Sequence, residues 1–520
     1  MTSQGGTKIV PDQPDTIAAL LLLRARTDPG ADAVAGADLR FLTYHDLTAR
    51  SAAIHARLMS RLEPSTGRVG IYGDNSPFWL MASLAVWAAG RSVAAVGTSL
   101  MPSEAVSRFH AVGAQLVLTA AAEPELEAAG LDCLQDCTAS RTGPPDAWTQ
   151  VVTVRGADEA CVFFTSGTTS APKGIPYTHA DLMQSTMQTV RSYSREPGFR
   201  TPARPERPPS ILFNPFGHHG IYPAVATRVW LGRRVVLVPK FSVDQLREVL
   251  RSSEVETLQL TPAAIFALAY DPDPPDLSTL RYVTSGSAAL SADVKRRFEQ
   301  RFGVPVLSTY GMSEVGAICQ LRPGDIGSQA HARGSVGRVA PGVAIRFLNA
   351  EGREVAPGEE GEIVVRPALS ERRYIGDARI EITDGWLHTG DIGRQDSDGY
   401  VFITGRRGEK MIVGGFNVYP SEVENAILAS GLVRDAVVAA VPDERLGEIP
   451  VAGIRWAGAA NMIALRETLR RTLAHYKIPR RWAEIDDVPR NALGKIDRRA
   501  AAAWAEQAFG PAEGGEHAPG

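Results

Sequence analysis

The sequence predicts an α/β fold: a large N-terminal domain of helix-covered mixed or parallel sheets with a small β subdomain, followed by a small α+β C-terminal domain. Three observations carry this. Short apolar runs alternate with helical segments through the first two thirds of the chain, the pattern of parallel strands covered by helices. From about residue 335 the texture changes to short extended pieces separated by turn residues. After Arg406 a glycine pair and a compact helix, strand and helix pattern follow. A chain of 520 residues exceeds what one hydrophobic core usually supports, so more than one domain is expected.

In order, GRVGIYG reads as a strand followed by the helical SPFWLMASLAVWAAG, and Ala160 to Phe164 form an apolar run of buried-strand type. SILFNPF, RRVVLVP, VETLQL, LRYVTSG and VPVLSTYG read as further strands with helices between them. TPARPERPPS, residues 201–210, is an exposed proline-rich connection. GEIVVRP and GWLHTGDIGRQDSDGYVFITGR read as antiparallel strands, with Asp398-Gly399 at a hairpin turn. PSEVENAILAS, DAVVAAVP and NMIALRETLRRTLAHYK supply the helices and strand of the last domain. The expected boundaries are a frayed 1–14, a large domain over 15–406, a small domain over 407–506 and a frayed tail over 507–520.

Composition narrows the function classes. With 44% hydrophobic and 22% charged residues the chain is an ordinary globular protein, and its net charge of −3 supplies no electrostatic drive toward nucleic acid or an anionic membrane. No apolar run has the length of a membrane span, and no basic-then-apolar signal opens the chain, so a cytoplasmic location is expected. Four cysteines are too few for a disulfide framework. Cys133 and Cys137 are spaced for one helix face, but no second metal-ligand pair accompanies them, so they read as structural thiols.

The chemistry concentrates in polar turns set against apolar strands. FFTSGTTSAPKG, residues 163–174, offers hydroxyl donors from Thr165, Ser166, Thr168 and Thr169, a close backbone approach at Gly167, and the cation Lys173 at its exit. This suits a polyphosphate, although the spacing is not that of a Walker A loop, and a hydroxyl-rich surface turn is the other reading. STYGMSEVGA, residues 308–317, carries Glu314, which reads either as the cap of a following helix or as a Mg2+ ligand. Asp391 in TGD and Arg406 in GR flank the hairpin, as grips for a ribose diol or as a surface ion pair. Lys495, in PRNALGKIDRRA, would by itself be a solvated lysine.

Together, TSGTTSAPKG, SGSAAL, STYGMSE, HTGD, TGRRGEKMIVGGFNVYPSEVE and PRNALGK, in this order, resemble the core motifs of the adenylate-forming superfamily, which includes acyl-CoA and aryl-CoA ligases, peptide-synthetase adenylation domains and luciferases. The resemblance covers about residues 15–505. It implies a large domain that binds ATP and a carboxylic acid, and a small domain that rotates between two half-reactions. Carried over, Thr165, Ser166, Gly167, Thr168, Thr169 and Lys173 would hold the β- and γ-phosphates. Ser287, Ala288 and Ala289 would line the adenine slot, with Tyr310 on the base and Gly311 and Met312 beside it. Ser313 would contact an oxygen of the phosphate or carboxylate, Glu314 would bind Mg2+, Asp391 and Arg406 would grip the ribose, and Lys495 would bridge carboxylate and α-phosphate. Gly408 would be the hinge, and Gly414, Gly415 and Asn417 would line a pantetheine tunnel.

Three departures accompany the resemblance. Ser170 stands where the family has glycine, Gly408 where it has Asp or Lys, and NPFGHHGIY is one residue short. His218 matches the family's gating position and His219 reaches the acid pocket, unless both are structural histidines. Other pocket candidates are Ile221, Thr284, Gly286, Gly311, Gly316, Ala317 and Ile318, which suit an aryl or cinnamyl-type acid or a medium-chain one. Asn214 stands where amino-acid-activating relatives place an aspartate, so an α-amino acid is not expected. CoA is the expected acceptor, with a carrier-protein phosphopantetheine, an amine, or adenylation of an oxyacid such as nitrite as alternatives. An inactive scaffold is the reading from another class, disfavoured because Lys173, Glu314, Asp391, Arg406 and Lys495 are all present. A monomer or homodimer is expected.

Overall fold

The computed structural model describes residues 14–98, 100–136, 154–164, 173–194, 208–252, 255–286, 288, 290, 292–366, 374–375, 382–414, 416–490 and 495–510. The large domain holds two sheets of parallel strands. In the first, Asp132–Gln135, Leu116–Thr119, Arg68–Gly73, Ser92–Gly97 and Glu159–Phe164 run parallel, and Gly174–Thr178 closes the edge antiparallel. In the second, Val306–Met312, Tyr282–Ser285, Thr257–Leu260, Ser210–Leu212, Val235–Leu237 and Asp32–Ala35 are parallel, with Gly316–Gln320 and Arg338–Val339 added antiparallel at one side and Leu42–Thr43 at the other.

The two sheets share one apolar core. Val69, Ile71 and Val93 of the first and Leu212, Val235 and Leu237 of the second belong to it, together with the helix Pro77–Ala88. That helix is apolar on every side because it is enclosed on every side. Its few polar atoms are matched inside the core: Trp87 Nε1 donates to the Ala160 carbonyl at 2.8 Å, and Ser83 Oγ lies 2.7 Å from Tyr222 Oη.

A third sheet is wholly antiparallel, Ala344–Leu348, Gly361–Arg366, Trp386–Gln395, Ile382–Thr383 and Val401–Arg406, and forms the β subdomain. The hairpin at Asp398-Gly399 is present, with Gly399 at φ 81°. From Met411 the chain builds a separate sheet around the long hairpin Val433–Asp443 and Gly447–Trp456, with its own core on Val423, Ile427, Leu465 and Leu469.

Two local expectations are corrected. Glu314 caps no helix: the turn after Met312 folds back directly into the strand Gly316–Gln320. The cause is Gly316 at φ 90°, and Gly311 on the facing strand, where a Cβ would lie 2.3 Å from the Gly316 carbonyl oxygen. Cys133 sits on the strand Asp132–Gln135, not on a helix face, while Cys137 and the connection at 201–207 lie outside the described residues.

Candidate active site

Two of the motifs, TSGTTSAPKG and STYGMSE, sit where a parallel strand ends and the chain turns back into an antiparallel one. The hairpin whose loop is expected to hold phosphate joins Glu159–Phe164 to Gly174–Thr178. Its residues Thr165, Ser166, Gly167, Thr168, Thr169 and Ser170 lie outside the described residues, as do Ser287, Ala289 and Gly415. Lys173 is described, with its ammonium 5.0 Å from the centroid of the Tyr374 ring. Ile375 N–H donates to the Gly174 carbonyl at 2.8 Å, which fixes Tyr374 beside that loop.

The 312–316 turn faces the same region. Tyr374 Oη donates to Glu314 Oε1 at 2.6 Å, a short charge-assisted bond. Burial, then the Glu314 carboxylate, push the Tyr374 phenol well above its ordinary range, so it stays a donor. Tyr177 Oη donates to the Ser313 carbonyl, and Ser313 Oγ lies 3.3 Å from His219 Nδ1. Met312 is half-buried beside them. Gly286 abuts Thr309, whose Oγ1 would lie 2.2 Å from an added Cβ.

The hairpin that carries Asp391 and Arg406 is assembled by sheet register. Asp391 and Arg406 are direct cross-strand partners, with Arg406 Nε 3.5 Å from Asp391 Oδ1. Tyr310 Oη donates to Asp391 Oδ2 at 2.6 Å, and the Asp391 N–H donates to Thr389 Oγ1 at 3.0 Å. Burial raises the Asp391 carboxyl, while Arg406 and the Tyr310 hydrogen bond oppose the shift.

His218 and His219 lie with ring centroids 4.4 Å apart. The Gly220 N–H donates to His218 Nδ1 at 3.2 Å, so the neutral ring carries its proton on Nε2. Enclosure and then the Lys495 charge push His218 down to about 4, and it is neutral at pH 7. The loop before it is held by Asn75, whose Nδ2 donates to the Asn214 carbonyl at 2.5 Å and whose Oδ1 accepts from Phe216 N–H at 3.0 Å. Thr284 is half-buried and Ala317 exposed, whereas Ile221 and Ile318, expected at the pocket, are each 0% exposed within apolar cores.

The small domain contributes Lys495. Its ammonium is lowered by burial and then by Arg406, and is drawn the other way by Asp391 and Glu314, so it lies within electrostatic reach of these three groups. Arg498, three residues on, is tied to Glu424 at 2.6 Å and Glu409 at 2.9 Å, which fixes the segment that follows Lys495. Gly408 lies between Arg407, paired with Glu362 at 3.0 Å, and Glu409. Gly414 is exposed at φ 57°, and Asn417 lies on the strand Phe416–Val418.

Sequence reading missed Tyr374, Tyr177 and Asn75. Each acts through a contact far along the chain, and none stands in a recognisable pattern. For Mg2+, the fit is good. Among the described residues no cluster of three or more His, Cys, Asp or Glu builds a cage, and Glu314 offers one oriented carboxylate, the arrangement that ion takes when phosphates complete its shell. Among the described residues, no helix is long and apolar enough to cross a membrane.

Comparison with known proteins agrees with this geometry. Residues 22–375 match the model of the AMP-binding enzyme family and residues 422–495 that of the AMP-binding enzyme C-terminal domain. An uncharacterized acyl-CoA ligase, YhfT of Bacillus subtilis (strain 168), is 30% identical over 93% of this chain and 97% of its own length. The o-succinylbenzoate coenzyme A synthetase MenE of Bacillus subtilis, solved with ATP and magnesium, superposes with a TM-score of 0.78 at 25% identity, over 92% of this chain and 98% of that one. The amide bond synthetase McbA of Marinactinospora thermotolerans gives 0.78 at 26% identity, over 94% and 99%. The chain therefore belongs to the AMP-binding enzyme family, the adenylate-forming superfamily whose motifs it carries, and is an ATP-dependent, AMP-forming ligase that works with Mg2+.

Proposed function

We propose that the chain activates an aryl, cinnamyl-type or medium-chain carboxylic acid and transfers the acyl group to CoA. In the first step a carboxylate oxygen attacks the α-phosphorus of ATP, the bond to the β-phosphate bridging oxygen breaks, and pyrophosphate leaves. In the second, the CoA thiol attacks the acyl carbon and AMP departs. The observation that carries this reading is Lys495, presented by the small domain to the cluster of Glu314, Asp391 and Arg406.

Two anions do not approach until charge is neutralised. Lys495 supplies a cation where charge develops on the α-phosphate, and Lys173 one at the exit of the phosphate loop. Glu314 would hold Mg2+, which when bound neutralises phosphate charge. Asp391 and Arg406 would hold the ribose, and Tyr310 would lie against adenine. His218, His219, Thr284, Gly286, Gly316 and Ala317 would bound the acid; two imidazoles among small residues suit a ring with hydroxyl or amino groups. Rotation about Gly408 would withdraw Lys495 and present Gly414, Gly415 and Asn417 to a pantetheine arm.

The likeness to the amide bond synthetase supports a second reading, an amine acceptor for the same adenylate. The test is mass-spectrometric product detection with ATP, Mg2+ and a panel of benzoic, cinnamic and fatty acids, with CoA, with an amine, or with neither. Acyl-CoA is the expected product; an amide formed in its place would favour the second reading, and no adenylate from any acid would remove both.

A further inference from the structure

Tyr374 touches two of the site's charged groups with two different parts of one side chain. Its hydroxyl donates to the Glu314 carboxylate at 2.6 Å, and its ring face receives the Lys173 ammonium at 5.0 Å. The backbone secures the side chain between them, because Ile375 N–H donates to the Gly174 carbonyl and the Ile375 side chain packs into the apolar core around Phe109 and Val162. The three residues come from separate segments: the phosphate-loop hairpin, the 312–316 turn and the connection between the strands Gly361–Arg366 and Ile382–Thr383 of the β subdomain.

We propose that Tyr374 is a positioning residue that couples metal binding to triphosphate binding. This rests on the roles given above to Glu314 and Lys173. A carboxylate that must share a cation with phosphates gains from being aimed beforehand, which the hydrogen bond to Glu314 Oε1 does. A lysine on a flexible stem gains in the same way from a ring that limits its range without neutralising it. The hydroxyl serves the first purpose and the ring the second, so the two are separable by substitution.

The experiment uses the full-length protein and three variants. Binding of Mn2+ in the presence of a non-hydrolysable ATP analogue is followed by electron paramagnetic resonance, and pyrophosphate exchange is measured against Mg2+ and against ATP. Tyr374→Phe removes only the hydroxyl and should weaken Mn2+ binding, and raise the Mg2+ needed for half-maximal exchange, about tenfold. Its KM for ATP at saturating Mg2+ should stay within about twofold of the parent, because the ring remains. Tyr374→Leu should show the metal defect and also raise that KM about fivefold. Glu314→Gln separates the two layers of the argument. If Glu314→Gln weakens Mn2+ binding and Tyr374→Phe does not, the coupling role is overturned and the metal assignment stands. If Glu314→Gln leaves Mn2+ binding unchanged, the metal assignment falls and the role of Tyr374 falls with it.

Discussion

The ring of Tyr419 occupies the space where a side chain on Gly405 would begin: a Cβ at Gly405 would lie 2.3 Å from Tyr419 Cγ. Gly405 is on the last strand of the β subdomain and Tyr419 precedes the first helix of the small domain, so this contact joins the two parts in the conformation that presents Lys495. Gly405→Ala should displace the small domain, and a misplacement of about 1 Å lowers rate on the order of 100-fold. Pyrophosphate exchange should fall by that order, while thioester formation from supplied acyl adenylate falls far less. Equal losses in both half-reactions would show that the contact is not specific to adenylation.

Lys495→Ala removes the cation that faces Glu314 and Asp391. Loss of one such charge-stabilising group costs on the order of 100- to 1000-fold in the step it serves. Adenylation measured by pyrophosphate exchange should drop by this factor with thioester formation from preformed adenylate retained. Intact adenylation in the variant would place the lysine in the second step instead.

At Gly408 an added Cβ meets nothing within 4 Å. Gly408→Lys and Gly408→Asp should therefore fold and adenylate within about twofold of the parent, since the first side-chain atom has room here. The second half-reaction should change, because a charged side chain at this position would bias the rotation proposed to precede it. Unchanged kinetics in both steps would move the hinge elsewhere.

Acid sensitivity has an identifiable contributor in His179, which is 0% exposed, lies edge-on to Trp87 at 5.4 Å, and has no hydrogen-bond partner on either ring nitrogen among the described residues. Burial pushes it down to about 4. As pH falls from the ordinary 6.5 toward 4, the unfolded chain takes this proton and the folded one does not, so stability is full above about 6.5 and declines below it. The loss from this residue is at most about 3 kcal/mol. His179→Phe should narrow the gap in melting temperature between pH 7.5 and pH 5.0; a gap as wide as the parent's would assign the acid sensitivity to other groups.

The strands that carry the motifs were legible because apolar runs ending in Gly, Ser and Thr are local signals. Val306–Met312, Trp386–Gln395 and Val401–Arg406 fall where the pattern places them. The nearness of Asp391 and Arg406 was within reach, since a hairpin turn at Asp398-Gly399 brings the two strand ends together, but their direct pairing depends on the register shift between Ile392 and Gly393, without which Asp391 would face Gly405. The turn at Glu314, for which a helix cap was one of two readings, shows the limit. A polar turn after a strand in an alternating chain suggests a helix, but Gly311 and Gly316 permit a tight return that only the approach of the two backbones reveals. Ile221 and Ile318 were placed at the pocket by position in a motif, whereas side-chain direction puts them in the cores.

The sequence by itself determined the family, the order of the motifs and the identity of the groups that neutralise charge, because hydroxyls, glycines, carboxylates and ammonium groups bring their chemistry with them wherever the chain puts them. Only the tertiary structure decided which of them meet. Tyr374 finds Glu314 across 60 positions, Tyr310 finds Asp391 across 81, and Asn75 reaches the Asn214 carbonyl across 139. No periodicity connects residues so far apart. Their contact depends on how sheets stack and where strands turn back, which is set by the burial of the whole apolar core rather than by any local pattern.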